Sequence, residues 1–237
     1  MKLCLQHWAW DGSIPGRGWA DAVAADLPAI WQAHPPENVT TRQHLASLLS
    51  SDEQTRLTSF IQPADQTRYL TGRGLLRLLI GAHLGIPPER LQFGYGPFGK
   101  PFLVAGNGNS TLYFNVAHSG NLILLAFSPR HEVGVDVEEM RQIPEMESIA
   151  SHVLSENERA RWMQLGPQPR VAAFYQTWTL QEASLKALGL GLGGEVDAET
   201  NTALTRYELD LPQGYAGAAA LYAGSKESLQ NLHSRNI

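Results

Sequence analysis

A chain of 237 residues with net charge −5, 43% hydrophobic and 17% charged residues has the composition of an ordinary globular protein, long enough for one large core or two small ones. Its acidic balance argues against wholesale nucleic-acid binding, which needs a basic face, while leaving room for a local basic pocket. The single Cys4 excludes an internal disulfide and a cysteine-based zinc site, and fits a reducing compartment.

Residues 1–28, rich in Trp, Gly and Pro, show no clear period and read as an irregular lead segment. Trp8, Trp10, Asp11, Arg17, Trp19, Asp21 and Asp26 interrupt any apolar core, so this is not a secretory signal. No stretch approaches the ~20 apolar residues of a membrane span. A cytoplasmic protein is expected. Ala29–Ala33 reads as a short strand ended by Pro35-Pro36. Leu45 to Leu84 is mostly helical with a break near Pro63, and from Tyr69 onward leucines oppose Arg68, Arg73 and Arg77. A Gly- and Pro-rich loop carrying Gly99 and Lys100 follows. Tyr113–Ala117 and Leu122–Phe127 are strands about a turn at Ser119-Gly120-Asn121, the second apolar throughout and so buried on both faces. After an acidic strand come helices near 145–152, 155–165 and 170–188, the last stopped by glycines. Leu204–Leu211 and Ala216–Ala223 read as closing strands.

A faint repeat runs through this order. Leu49-Ser50-Ser51-Asp52-Glu53 resembles Leu154-Ser155-Glu156-Asn157-Glu158, and each precedes a long helix ending in Leu-Gly. Duplicated halves meeting along a cleft would follow, and such clefts are common ligand sites.

The chemistry concentrates in two segments. In Val133-Gly134-Val135-Asp136-Val137-Glu138 the two-residue period puts Gly134, Asp136 and Glu138 on one face. A strand glycine there marks close approach by a ligand or by backbone. Two interior carboxylates without a cation would be costly. In Trp178 through Lys186 a helix carries Glu182 and Lys186. Four apart, these are either a surface pair worth about 0.2–0.5 kcal/mol or a third carboxylate for a hard-cation site with a lysine for phosphate. Phe174, Trp178, Gln181, Leu185 and Leu188 are expected to form the buried stripe of that helix, with Glu182 flanking it. Glu158 after Ser155, like Glu53 after Ser50, fits a capping box. His118 fits a turn histidine, and Lys100 an exposed lysine.

Together these parts resemble the Sfp-type 4′-phosphopantetheinyl transferases. The likeness is carried by Gly99-Lys100-Pro101, Phe114 through Gly120, Gly134 through Glu138 and Trp178 through Lys186, and extends loosely from Leu49 to Leu192. It implies an α+β fold of two similar halves related by a pseudo-twofold, each a small, mostly antiparallel sheet with helices, and a ligand cleft between them. The halves expected are 1–128, with the coenzyme A phosphate contacts, and 129–237, with the metal ligands and the catalytic helix.

The implied reaction is transfer of 4′-phosphopantetheine from coenzyme A to a serine of an acyl or peptidyl carrier protein, with Mg²⁺ and release of 3′,5′-ADP. By the same resemblance Asp136, Glu138 and Glu182 bind the metal, and Lys186 and Lys100 contact coenzyme A phosphates. His118, Arg68 and Arg56 match positions that hold the 3′-phosphate. Gly99, Asn115 and Ala117 lie in the coenzyme A-binding segments, and Glu158 matches a glutamate proposed as base. Gln181 replaces the family's usual lysine, and Ala117 a frequent serine. Arg73 and Arg77 are candidates for a basic strip facing the carrier. A monomer without nucleic-acid or membrane partners is expected. A Mg²⁺-dependent nucleotide-diphosphate hydrolase, or a weakened module that only binds coenzyme A or carrier, would use the same residues.

Overall fold

The computed structural model describes residues 2–3, 6–7, 16, 27–104, 112–191 and 193–236. Most of the lead segment lies outside these residues. Its described parts include two short strands, β1 (Lys2–Leu3) and β2 (Gln6–His7).

The first half then runs β3 (Ala29–Ala33), α1 (Val39–Ser47), α2 (Ser51–Ser59), α3 (Pro63–Leu84), β4 (Phe93–Tyr95), β5 (Pro101–Leu103), β6 (Tyr113–Ser119) and β7 (Leu122–Ser128). The second runs β8 (Glu132–Glu139), α4 (Met146–Val153), α5 (Glu156–Met163), α6 (Pro167–Leu188), α7 (Ala198–Thr202), β9 (Leu204–Leu209), β10 (Tyr215–Tyr222) and α8 (Lys226–Asn236). Each main sheet is built alike. The first strand pairs antiparallel with the last, which pairs antiparallel with the middle one, in the orders β3-β7-β6 and β8-β10-β9. β2 adds parallel to β3, and β1 parallel to β9.

The repeat seen in sequence is structural. The helices α3 and α6 both have 22 residues, open with proline in the first turn and close at a left-handed glycine, Gly85 or Gly189. Proline suits the first turn because its missing N–H would be unpaired there anyway, and glycine adopts the positive φ of the cap without a Cβ clash. Both preceding helices, α2 and α5, open with the expected capping box.

Alternation along the strands sets the layers. Ile123, Leu125 and Phe127 of β7 pack in the apolar cluster that includes α3. Leu122, Leu124 and Ala126, on its other face, pack with Val133, Val135 and Val137 of β8 and with Ala219 and Leu221 of β10. The strand is therefore buried on both faces, as its composition indicates. β8 is covered on both sides too: its valines meet the first half, while α6 lies on the face that carries Gly134 and Asp136.

Several expectations change. The Gly/Pro loop is a hairpin, β4–β5. α7 and α8 were not expected, being short or strongly polar. Arg77 is not on a polar helix face: it is 1% exposed and its Nε donates to Glu53 Oε2 at 2.6 Å. Its Nη1 donates to the carbonyls of Pro88 and Leu91. Arg73 is nearly buried as well and pairs with the same Glu53, so neither residue offers a basic strip to a carrier. Glu53→Ala strips Arg77 of its carboxylate in the interior and should cost about 3–5 kcal/mol, measurable by urea unfolding.

Candidate active site

The centre of the site is Asp136, 3% exposed on β8. Lys186 Nζ on α6 donates to its Oδ1 at 2.5 Å. Its Oδ2 is buried with no hydrogen-bond partner among the described residues. Burial pushes the Asp136 carboxyl up to about 6 from 3.8, Lys186 opposing and the charges of Glu138 and Glu182 adding to the rise. Burial likewise raises Glu182, with Lys186 opposing and Glu138 reinforcing. Asp136 and Glu182 thus both feel the charge of Glu138, and one oxygen of Asp136 is unsatisfied.

Gly134 makes this meeting possible. A Cβ there would lie 2.1 Å from Ala183 O, 2.3 Å from Ala187 N and 2.9 Å from Lys186 C. The close approach expected of this glycine is by backbone, that of α6. The helix meets the sheet through small side chains, with Thr179, Ala183 and Ala187 buried one turn apart. Of the expected stripe Phe174 and Leu188 are buried, Trp178 and Leu185 are half-buried, and Gln181 is exposed. Large apolar residues would hold α6 too far from β8 for Lys186 to reach Asp136.

A cleft of about 440 Å³ opens beside Glu138, a size suited to a small-molecule site. Arg68, His118 and Glu138 of the predicted residues line it, while Asp136, Glu182 and Lys186 are not among its lining residues and lie on β8 and α6, which each contribute other residues to its wall. Arg68 pairs with Asp65 and donates to Gly120 O at 3.2 Å. His118 is exposed, yet its crowded setting lowers its pKa, aided by the positive charge of Arg68 and then Lys186.

Other predicted residues have different places. Lys100 Nζ donates to Glu132 Oε2 at 2.6 Å and to Ala187 O at 2.8 Å, tying the β4–β5 hairpin to the end of α6. Burial depresses its pKa, with Glu132 opposing. Gly99 supplies the positive φ of that hairpin turn. Asn115 Oδ1 accepts from Val135 N at 3.0 Å, and Ala117 packs in the apolar core between the sheets rather than lining the cleft. Arg56 lies over the Tyr69 ring, 5.9 Å from its centroid, away from the cleft wall.

Glu158 closes the capping box: its Oε2 accepts from Ser155 Oγ at 2.6 Å and Ser155 N at 2.9 Å. Those bonds, the hydroxyl's first, lower its pKa. Sequence reasoning missed Ser119, Glu139, Arg141, Ile143, Ile149 and Phe174 as cleft residues. Their signal is weak: Ser119 and Glu139 are the last residues of β6 and β8, and Arg141 and Ile143 follow in the loop after β8, where no period runs.

An interior carboxylate joined to lysine, beside a cleft whose wall carries both guanidinium and carboxylate groups, is the arrangement of a binding or catalytic site for a charged ligand. The comparisons name it more closely. Residues 31–130 match the model "4'-phosphopantetheinyl transferase, N-terminal", and residues 132–227 match the 4'-phosphopantetheinyl transferase superfamily. The chain belongs to the 4′-phosphopantetheinyl transferases, enzymes that move the phosphopantetheine group of coenzyme A to carrier proteins. It is 40% identical to slr0495 of Synechocystis sp. over 76% of this chain and 73% of that protein. It is 35% identical to the 4'-phosphopantetheinyl transferase HetI of Nostoc sp., over 72% of each chain. The 4'-phosphopantetheinyl transferase gsp of Aneurinibacillus migulanus is 30% identical over 72% of this chain and 75% of its own.

Proposed function

We propose that the family's reaction runs here on an acyl or peptidyl carrier, whose serine oxygen attacks the phosphorus bearing pantetheine while 3′,5′-ADP leaves. Asp136 is the observation that supports this most: a buried carboxylate with one oxygen on Lys186 and the other without a partner. Among the described residues no three His, Cys, Asp or Glu side chains stand gathered as a ready-made metal site. Even so, an orphaned buried oxygen, like charges that help raise the pKa of Asp136 and Glu182, and all-oxygen donors fit a hard cation such as Mg²⁺. Asp136, Glu138 and Glu182 would hold it. When bound, it would supply charge neutralisation at the diphosphate.

Lys186 brings a fixed positive charge to the reacting phosphate. Arg68, oriented by Asp65 and Gly120, supplies the permanent charge for the 3′-phosphate, and His118 a ring N–H to it. Ile143, Ile149, Phe174 and Trp178 offer the uncharged pantetheine arm an apolar wall. Residues 1–128 would thus serve the coenzyme A phosphates and 129–237 the metal. We place the reaction in the cytoplasm, with the chain as a monomer, on its one cysteine and its duplicated fold. No described helix is long and apolar enough to cross a membrane.

The acceptor serine must lose its proton. The Glu158 carboxylate is committed to a helix cap and lowered in pKa, which makes it a weak base. Glu158→Gln, which can still close the capping box, is therefore expected to retain most of the transfer rate. A rate lost in this variant at unchanged melting temperature would assign it the proton.

The direct test is to incubate the protein with coenzyme A, Mg²⁺ and a panel of unmodified carriers and weigh each carrier. A gain of the phosphopantetheine mass is expected. Unchanged carriers across the panel, with coenzyme A cleaved, would favour hydrolysis instead.

A further inference from the structure

β6 and β8 are end strands of separate sheets, and no backbone ladder joins them among the described residues. Two side chains of β6 do that work instead. Asn115 Oδ1 accepts from Val135 N, and Ser119 Oγ accepts from Glu139 N, each at 3.0 Å. Acceptors and donors are both four residues apart, so the strands run the same way in one fixed register. The two-residue period puts Asn115 and Ser119 on one face of β6. Asn115 is buried, so removing its oxygen would leave an interior N–H unpaired.

The Ser119 hydroxyl does more than accept. It also donates to Glu138 Oε2 at 2.8 Å. One hydroxyl therefore holds both the backbone at the end of β8 and a carboxylate carried by that strand. Both residues line the cleft.

We propose that Ser119 is a positioning residue for the cation site: its hydroxyl, on one half of the fold, fixes the rotamer of Glu138 on the other, while Asn115 sets the strand register that brings them together. The inference rests on the reading of Glu138 as a metal ligand. Holding Oε2 leaves Oε1 for an ion, and the entropy of ordering the glutamate is met before the ion arrives. The site is then complete only while the halves stay in register.

The test uses Mn²⁺ as probe, followed by loss of its free-ion paramagnetic resonance signal, with the full-length protein, coenzyme A present and no carrier. Ser119→Ala should weaken Mn²⁺ binding about tenfold or more, the usual effect of losing an outer partner of a ligand. The Mg²⁺ needed for half-maximal transfer should rise in step, with the KM for carrier unchanged. Ser119→Thr, which keeps the hydroxyl, should restore both. Ser119→Cys, of similar size but a weak donor, serves if the alanine variant does not fold. Unchanged Mn²⁺ affinity in the alanine or cysteine variant, alongside its loss in Asp136→Asn, would overturn this inference and leave the cation site standing. Full Mn²⁺ binding by Asp136→Asn would overturn the cation site itself, and the inference with it.

Discussion

Asp136→Asn is expected to lower transfer by at least about 100-fold, the upper end of what losing a group that merely supports a ligand costs, without lowering the melting temperature of the metal-free protein. The reason is the sign of its pKa shift. The folded protein raises the Asp136 carboxyl from 3.8 to about 6, chiefly by burial. An acid that holds its proton more tightly when folded stabilises the fold while protonated. That stability is present below about pH 4 and lost as pH rises to about 6. The ionised group leaves the metal-free fold poorer by something on the order of 3 kcal/mol. Asparagine keeps the shape, carries no charge to desolvate, and releases a lysine that is already 31% exposed. Wild-type melting temperature should therefore fall between pH 4 and 6, and the variant's profile should be flatter. Mg²⁺ should raise the wild-type melting temperature at pH 7 and leave the variant's unchanged. A variant that both melts lower and stays active would refute this account of Asp136.

Gly134→Ala is the second large effect. The added methyl would meet the backbone of α6 at Ala183, Lys186 and Ala187, and backbone cannot step aside as a side-chain tip can. The helix must lift from β8. Overpacking of this kind costs about 3 kcal/mol or more, equivalent to a fall of roughly 6–12 °C in melting temperature at this chain length. Lifting α6 also draws Lys186 from Asp136, so transfer should drop further than stability explains. Calorimetry with steady-state kinetics on the same preparation checks both. A variant with wild-type melting and wild-type rate would show that α6 does not need this close approach.

Local pattern made part of this legible. Alternation in β8 put Gly134, Asp136 and Glu138 on one face, and the same face meets α6. The Ser-x-x-Glu spacing located the starts of α2 and α5, because a capping box needs only four consecutive residues. Other features depended on partners distant in the chain. Arg77 looked like a surface cation because its carboxylate, Glu53, comes from another helix and its carbonyls from beyond the end of α3. The stripe of α6 holds at Phe174 and Leu188 but not at Gln181, which is exposed, because closeness to the sheet rather than side-chain size sets burial along this helix. The close approach to β8 is made at Ala183 and Ala187, where small side chains let the helix backbone down onto Gly134. α8 was missed because, apart from its leucines, it is mostly polar.

Ser119 shows the same division. As sequence it is a turn residue before glycine; in the fold it bonds Glu138 and Glu139 across the seam between the sheets. Lys100 read as exposed or phosphate-binding, and the fold sets it on Glu132 and Ala187 O.

By itself the sequence determined the duplicated order of elements, the acidic face of β8 and the helix with Glu182 and Lys186, since periodicity and caps are local. Tertiary structure alone decided which charges are buried and what each one touches. Desolvation and ion pairing depend on distances between elements, and those are set by packing: a glycine and two alanines that let α6 down onto β8 place Lys186 on Asp136.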